Sequence, residues 1–242
     1  MSMWNPQMTG RARPLDYEAG AEPGVAARFF NAVYAWMAVG LAVTALVGWL
    51  VYTNPAVMAS FMTRGAAIGI FVAELVLVVV ISSALRAINA TMATLLFLLF
   101  AALNGLMLSS IFYVYTLPSI GAAFAACAAM FAVMSVYGMV TKTDLTSMGK
   151  ILFMALIGLI VASIVNFFFA SSVLYWLVSY AGVIIFAGLT AYDTQRLRQM
   201  ALSIGSEGAL AARMSIVGAL ALYLDFINMF LFLLRILGSR KN

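Results

Sequence analysis

Gly218-Ala219-Leu220-Ala221-Leu222-Tyr223-Leu224-Asp225-Phe226-Ile227-Asn228-Met229-Phe230-Leu231-Phe232-Leu233-Leu234-Arg235 is the stretch on which the reading of this chain turns. It is long enough to cross a bilayer, yet it holds a carboxylate near its centre and an amide three residues later, on the same helix face. An unpaired Asp in lipid is costly, so Asp225 is expected to face a bundle interior or a watery cavity and to find its partner elsewhere in the chain.

The surrounding sequence fixes the class. Of 242 residues, 65% are hydrophobic and only 9% charged, and the mean hydropathy is +1.08, far from the roughly one-quarter charged composition of globular domains. The chain reads as an all-α integral membrane protein, with the lipid bilayer as its first partner. At about twenty apolar residues per crossing, its length accommodates six or seven helices and no separate soluble domain. The single Cys127 forms no internal disulfide and no cysteine metal cluster. The absence of His removes imidazole zinc sites, His-assisted nucleophiles and histidine pH sensing. Any pH response must then fall on carboxylates.

Taken in order, residues 1–28 form a polar tail punctuated by Pro6, Pro14, Gly20, Pro23 and Gly24, without the short apolar core of a signal peptide. The transmembrane domain is expected over 29–237, followed by a short tail, 238–242. The first helix spans about 29–52 and stops at Asn54-Pro55. The second, about 65–85, lies between Arg64 and Arg86 and carries Glu74 near its middle, a second intramembrane carboxylate. Arg86 is twelve positions on, roughly 120° away around an ideal helix, so the two are no automatic pair. Leu117-Pro118-Ser119 divides a long uncharged run into a third helix, about 91–115, and a fourth, about 120–140, whose small residues read as a packing face. A polar loop, Lys142 to Lys150, places Asp144 or Thr146 as a cap for the fifth helix, about 151–170. The sixth spans about 173–192. A loop through Arg213 leads to the last segment.

Lys and Arg fall mostly on one side. With the N-terminus cytoplasmic, inner segments hold Arg11, Arg13, Arg28, Arg86, Lys142, Lys150, Arg196, Arg198 and Arg213, and outer loops before the last helix hold only Arg64. The net charge of +5 therefore reads as cytoplasmic loop ends, with no nucleic-acid partner. Arg235, Arg240 and Lys241 fall outside if the last segment crosses and inside if it is re-entrant; its length, about 33 Å from Arg213 to Arg235, favours a crossing.

Asp193 and Asp225 are the expected pair, since the sixth and seventh helices run antiparallel and both acids can face one interior. An i,i+3 ion pair with Arg196 is the local alternative for Asp193. Two carboxylates sharing a site cannot both ionise cheaply, so they hold one proton between them. Protonated, they latch the helices; deprotonated, they part or admit a cation. Depth is the difficulty. Asp225 lies about 18 Å past Arg213, whereas Asp193 sits near the inner surface, so a tilted or displaced last helix is required.

Gly-Leu-Thr-Ala-Tyr-Asp-Thr-Gln (188–195), Leu-Tyr-Leu-Asp-Phe-Ile-Asn-Met-Phe-Leu-Phe-Leu-Leu-Arg (222–235) and Thr-Lys-Thr-Asp-Leu-Thr-Ser-Met-Gly (141–149) together resemble the transmembrane Bax-inhibitor-motif family, in its bacterial inner-membrane form. The resemblance implies seven helices with the last one central and a pH-sensitive calcium leak. It further implies a gate made by Asp193 and Asp225, assisted by Glu74 and Arg86, with calcium held only in transit; Asn228, on the helix face of Asp225, is expected on the same ion pathway. No other cofactor is implied, and no enzyme, because no base is placed to activate the Ser and Thr hydroxyls. The competing expectation is an interaction protein that modulates a membrane complex such as a quality-control protease.

Overall fold

The computed structural model describes residues 23–61, 63–83, 89–204 and 208–241. The tail up to residue 22, Arg86 and the loop 205–207 lie outside them. Among the described residues the helices are α1 (Pro23–Tyr52), α2 (Pro55–Phe61), α3 (Arg64–Ser83), α4 (Ala90–Leu108), α5 (Ile111–Val114), α6 (Leu117–Val140), α7 (Thr146–Phe169), α8 (Ser172–Ile204) and α9 (Gly208–Leu237). Seven of these segments are long and apolar enough to cross a bilayer, α5 continuing the span of α4.

Local chemistry sets most of the boundaries. Asn89 caps α4, its Oδ1 accepting from the Met92 N–H at 2.8 Å. Pro118 sits in the first turn of α6, where its missing N–H costs nothing. Asp144 Oδ1 accepts from the Thr146 N–H at 2.9 Å as α7 begins, and the Thr146 hydroxyl and N–H hold the Asp144 carboxyl below its usual range. Ala170, at φ 48°, ends α7 in a left-handed cap whose N–H donates to the Asn166 carbonyl at 2.8 Å. Several boundaries differ from the sequence expectation: the short α2 begins at Pro55, in place of the expected stop, α7 begins at Thr146, inside the expected polar loop, and α9 begins at Gly208, inside the expected loop through Arg213. Helix α1 starts at Pro23, inside the polar tail, and α8 continues about twelve residues past Tyr192.

Helix α9 is the hub, packing against α8, α1, α6, α4 and α3. Of its apolar span 72% is buried, against 6% in α3 and in α7. It is one unbroken helix of 30 residues, about 45 Å long, which suits a crossing and not a re-entrant hairpin. Tyr223 anchors its centre. The ring is fully buried edge-on to Phe97 and Phe100. Thr44 Oγ1 donates to the Ala101 carbonyl at 2.8 Å, so the Tyr223 hydroxyl, 2.7 Å away, donates to Thr44.

Small residues let the backbones close up. A Cβ on Gly138 of α6 would strike the Ala191 carbonyl of α8; one on Gly218 of α9 would strike Leu197, and one on Gly182 of α8 would strike the Phe232 ring. Without hydrophobic driving force between helices in lipid, such close packing supplies much of the association energy. Around Gly138, Tyr34 of α1 bonds to Ser135 of α6, which in turn meets Thr194 of α8 at 3.1 Å.

The C-terminal tail is pinned at the opposite end. Residues 239–241 pair with 114–116: the Thr116 N–H donates to Ser239 at 3.1 Å and the Lys241 N–H to Val114 at 2.9 Å. Lys241 Nζ donates to the Phe112 carbonyl at 2.8 Å and lies 5.3 Å from the Tyr52 ring centre.

Two stability outcomes follow. Gly138→Ala in detergent lowers the melting temperature, at a cost of about 1–3 kcal/mol, whereas Gly158→Ala, with nothing near its added Cβ, leaves it level or higher; equal melting of the two variants contradicts the close α6–α8 contact. Removing residues 239–242 costs about 1–3 kcal/mol from the lost hydrogen bonds without changing helical circular dichroism, and unaltered melting contradicts the pinned tail.

Candidate functional site

The site grows out of the seam between α8 and α9. Gly218 backs onto Leu197 and Gly182 onto Phe232, so each step forward along α9 matches one step back along α8. At that register Asp193 stands level with residue 222, and Asp225 lies about one turn, roughly 5 Å, farther into the bundle. Neighbouring contacts set the depth. Gly138 of α6 meets Ala191 and Thr194, and Gly149 of α7 meets Tyr192. The level of Asp193 is therefore where α6 ends and α7 begins.

This register answers the depth difficulty. Val33 of α1 packs beside Gly218, so α1, α8 and α9 all continue for about ten residues, roughly 15 Å, beyond the ends of α6 and α7. The first turns of α9 belong to this extension, and Asp225 is correspondingly shallower than a count from Arg213 implies. Gln195 ties the loop down at the same level: its Oε1 accepts from the Leu145 N–H and its Nε2 donates to the Thr143 carbonyl, each at 2.8 Å.

Asp193 and Asp225 line one cavity of about 1330 Å³, bounded by α3, α7, α8 and α9. Leu189, Tyr192, Asp193, Arg196, Leu197 and Met200 form its α8 wall, at the spacing of one helix face. Asp225 is 4% exposed, and its Oδ2 is buried with no hydrogen-bond partner among the described residues. Asp193 is the charged neighbour that acts on it, and Arg196 is the one that acts on Asp193. Asn228, one turn beyond Asp225, lines the same cavity and donates through Nδ2 to the Leu224 carbonyl at 2.8 Å. Lys150 enters from α7.

Glu74 is placed elsewhere. It is half-buried on α3 with Oε1 unpartnered, and the group it acts on is Tyr223, which projects from α9 about 200° away from Asp225. Glu74 does not line the cavity of the aspartates. The expected contribution of Arg86 lies outside the described residues. The described residues contain no group of three or more Asp, Glu or Cys side chains able to hold a metal, so the metal-binding chemistry on offer at the cavity is that of two carboxylates and one amide.

Sequence reasoning overlooked Lys150 and Arg196 as cavity residues and the Tyr34–Ser135–Thr194 chain beside Asp193. Lys150 had a signal, because it follows the polar loop on the turn that carries Gly149, the contact point for Tyr192.

Comparison with known proteins agrees with this architecture. The family described as "Inhibitor of apoptosis-promoting Bax1" matches residues 26–242. The chain is 52% identical over 211 residues to "Inner membrane protein YbhL" of Escherichia coli (strain K12), covering 86% of this chain and 90% of that one. It is 47% identical over 212 residues to a Deinococcus radiodurans protein, covering 88% and 90%, and 44% identical over 216 residues to one from Borreliella burgdorferi, covering 89% and 93%. With a family match from the first turn of α1 to the end of the chain, on a bundle of seven apolar helices, the chain belongs to the Bax inhibitor family of membrane proteins.

Proposed function

We propose that this protein is a pH-sensitive cation leak of the bacterial inner membrane, with calcium as the passing ion and the Asp193–Asp225 pair as its gate. One observation carries the reading: a buried carboxylate oxygen of Asp225 with no hydrogen-bond partner shares a cavity with a second carboxylate on the adjacent helix. An acid kept in that position inside a membrane protein is a functional element by default. The similarity to an inner-membrane relative supports the compartment. The excess of Lys and Arg at the ends of α6, α7, α8 and α9 nearest Asp193 supports a cytoplasmic placement of that end and of the N-terminus.

The gate works through charge. One proton held between the carboxylates keeps α8 and α9 together. Losing it leaves two like charges in a poorly solvated space, and a divalent cation restores neutrality by taking the proton's place. The charged and titratable side chains that face the pair are Lys150 of α7 and Tyr192 and Arg196 of α8; from α3, Glu74 faces Tyr223 instead. Protonation favours the closed form, so flux rises as pH rises.

Reconstitution into liposomes loaded with a fluorescent calcium reporter tests this between about pH 5 and 8. Wild type passes calcium more rapidly toward the alkaline end. Asp225→Asn and Asp193→Asn, which cannot exchange the proton, flatten the profile, while Glu74→Gln leaves its midpoint in place. Identical profiles for wild type and both Asp variants, or no calcium flux at any pH, would sink the gate.

A further inference from the structure

The cavity is far more apolar and far larger than a cation needs. At about 1330 Å³ it exceeds the roughly 300–1,000 Å³ of small-molecule clefts. Away from its polar end the walls are largely hydrocarbon, with Phe71 from α3 and Phe153, Ile160 and Ile164 from α7. These four residues are all more than half exposed, and α3 and α7 form no packed interface with one another. The cavity therefore opens sideways, toward the acyl chains of the bilayer.

Its polar end carries two cations. Lys150 and Arg196 both line the cavity and are exposed. Asp144 and Asp193 feel their charge, yet among the described residues neither cation has an ion-pair or hydrogen-bond partner. From the α7–α8 register, Arg196 stands just beyond the start of α7, and Lys150 lies about one turn deeper, within the reach of a side chain that extends its ammonium toward the headgroup layer. From Lys150 to Ile164 the groove runs about 21 Å along α7. That exceeds the roughly 15 Å depth of one leaflet's hydrocarbon.

We propose that this groove binds an anionic phospholipid from the leaflet at the Asp193 end, its phosphate held by Lys150 and Arg196 and one acyl chain lying between α3 and α7. Charge complementarity selects the headgroup, and the open hydrocarbon wall selects a lipid over a soluble anion. The inference does not depend on ion conduction, because lipid binding is read directly.

Native mass spectrometry of the full chain in detergent, with phosphatidylglycerol or phosphatidylcholine added, is the test. Wild type retains phosphatidylglycerol with at least about tenfold preference, equivalent to about 1.4 kcal/mol. The Lys150→Gln/Arg196→Gln variant loses that preference while melting like wild type. The charge-matched Arg28→Gln/Lys142→Gln variant, altered at the same end but away from the groove, keeps it. Ile160→Trp, which fills the hydrocarbon wall, weakens retention of phosphatidylglycerol. Equal retention of the two lipids by wild type would overturn the proposal, as would a preference surviving the Lys150/Arg196 exchange, its loss in the Arg28/Lys142 control, or full displacement of the lipid by inorganic phosphate.

Discussion

Between α8 and α9 side chains seat on bare backbone where the facing residue is glycine, Leu197 on Gly218 and Phe232 on Gly182, and nearly every other property of the bundle takes its geometry from that seam. A helix pair in lipid gains little from hiding apolar surface, so its register is set by where the backbones can approach. Here the register fixes how far Asp225 lies from Asp193. It also decides which face of α9 looks into the cavity and which carries Tyr223 into the Thr44–Ala101 hydrogen bonds. The two faces divide the intramembrane acids. Asp193 and Asp225 share one side of α9, and Glu74 works on the other.

The helices are not equally committed. α9 is enclosed by five neighbours, whereas α3 and α7 present most of their surface outward. The enclosed helix carries the buried acid, and the loosely held pair flanks the lateral opening. The well-packed helices α8 and α9 thus hold Asp193 and Asp225, while α3 and α7, which border the groove, have less packing to lose if they shift.

Much of this was legible in the sequence, and what escaped has a physical reason. Helix number could be read because apolar runs bounded by Pro118, Ser171-Ser172 and the Lys142–Lys150 loop leave few alternatives, whereas the centrality of α9 came from the resemblance to the Bax-inhibitor-motif family and not from the runs themselves. Asp225 declared itself by being a charge in the middle of such a run. The true length of α8 did not, since residues 193–204 are polar enough to pass for a loop. They are helical because α9 and α1 extend alongside them, and a hydropathy reading detects bilayer contact without detecting a partner helix. That single misreading created the apparent mismatch in depth between the two aspartates. Lys150 and Arg196 were hidden for a related cause: a basic residue at a helix end has an ordinary explanation in topology, and only packing shows that both border one cavity.

The extension of α1, α8 and α9 past the ends of α6 and α7 bears on how the membrane's electric field reaches the two acids. Moving one elementary charge through the entire field is worth about 2.3 kcal/mol per 100 mV, and Asp193 stands level with the end of α6 and the start of α7, with Asp225 about one further turn of helix inside. Most of the length of α6 and α7 therefore lies beyond the pair. A proton taken up by the pair from that end would cross little of the field, so its binding would answer to the adjoining solution far more than to membrane voltage.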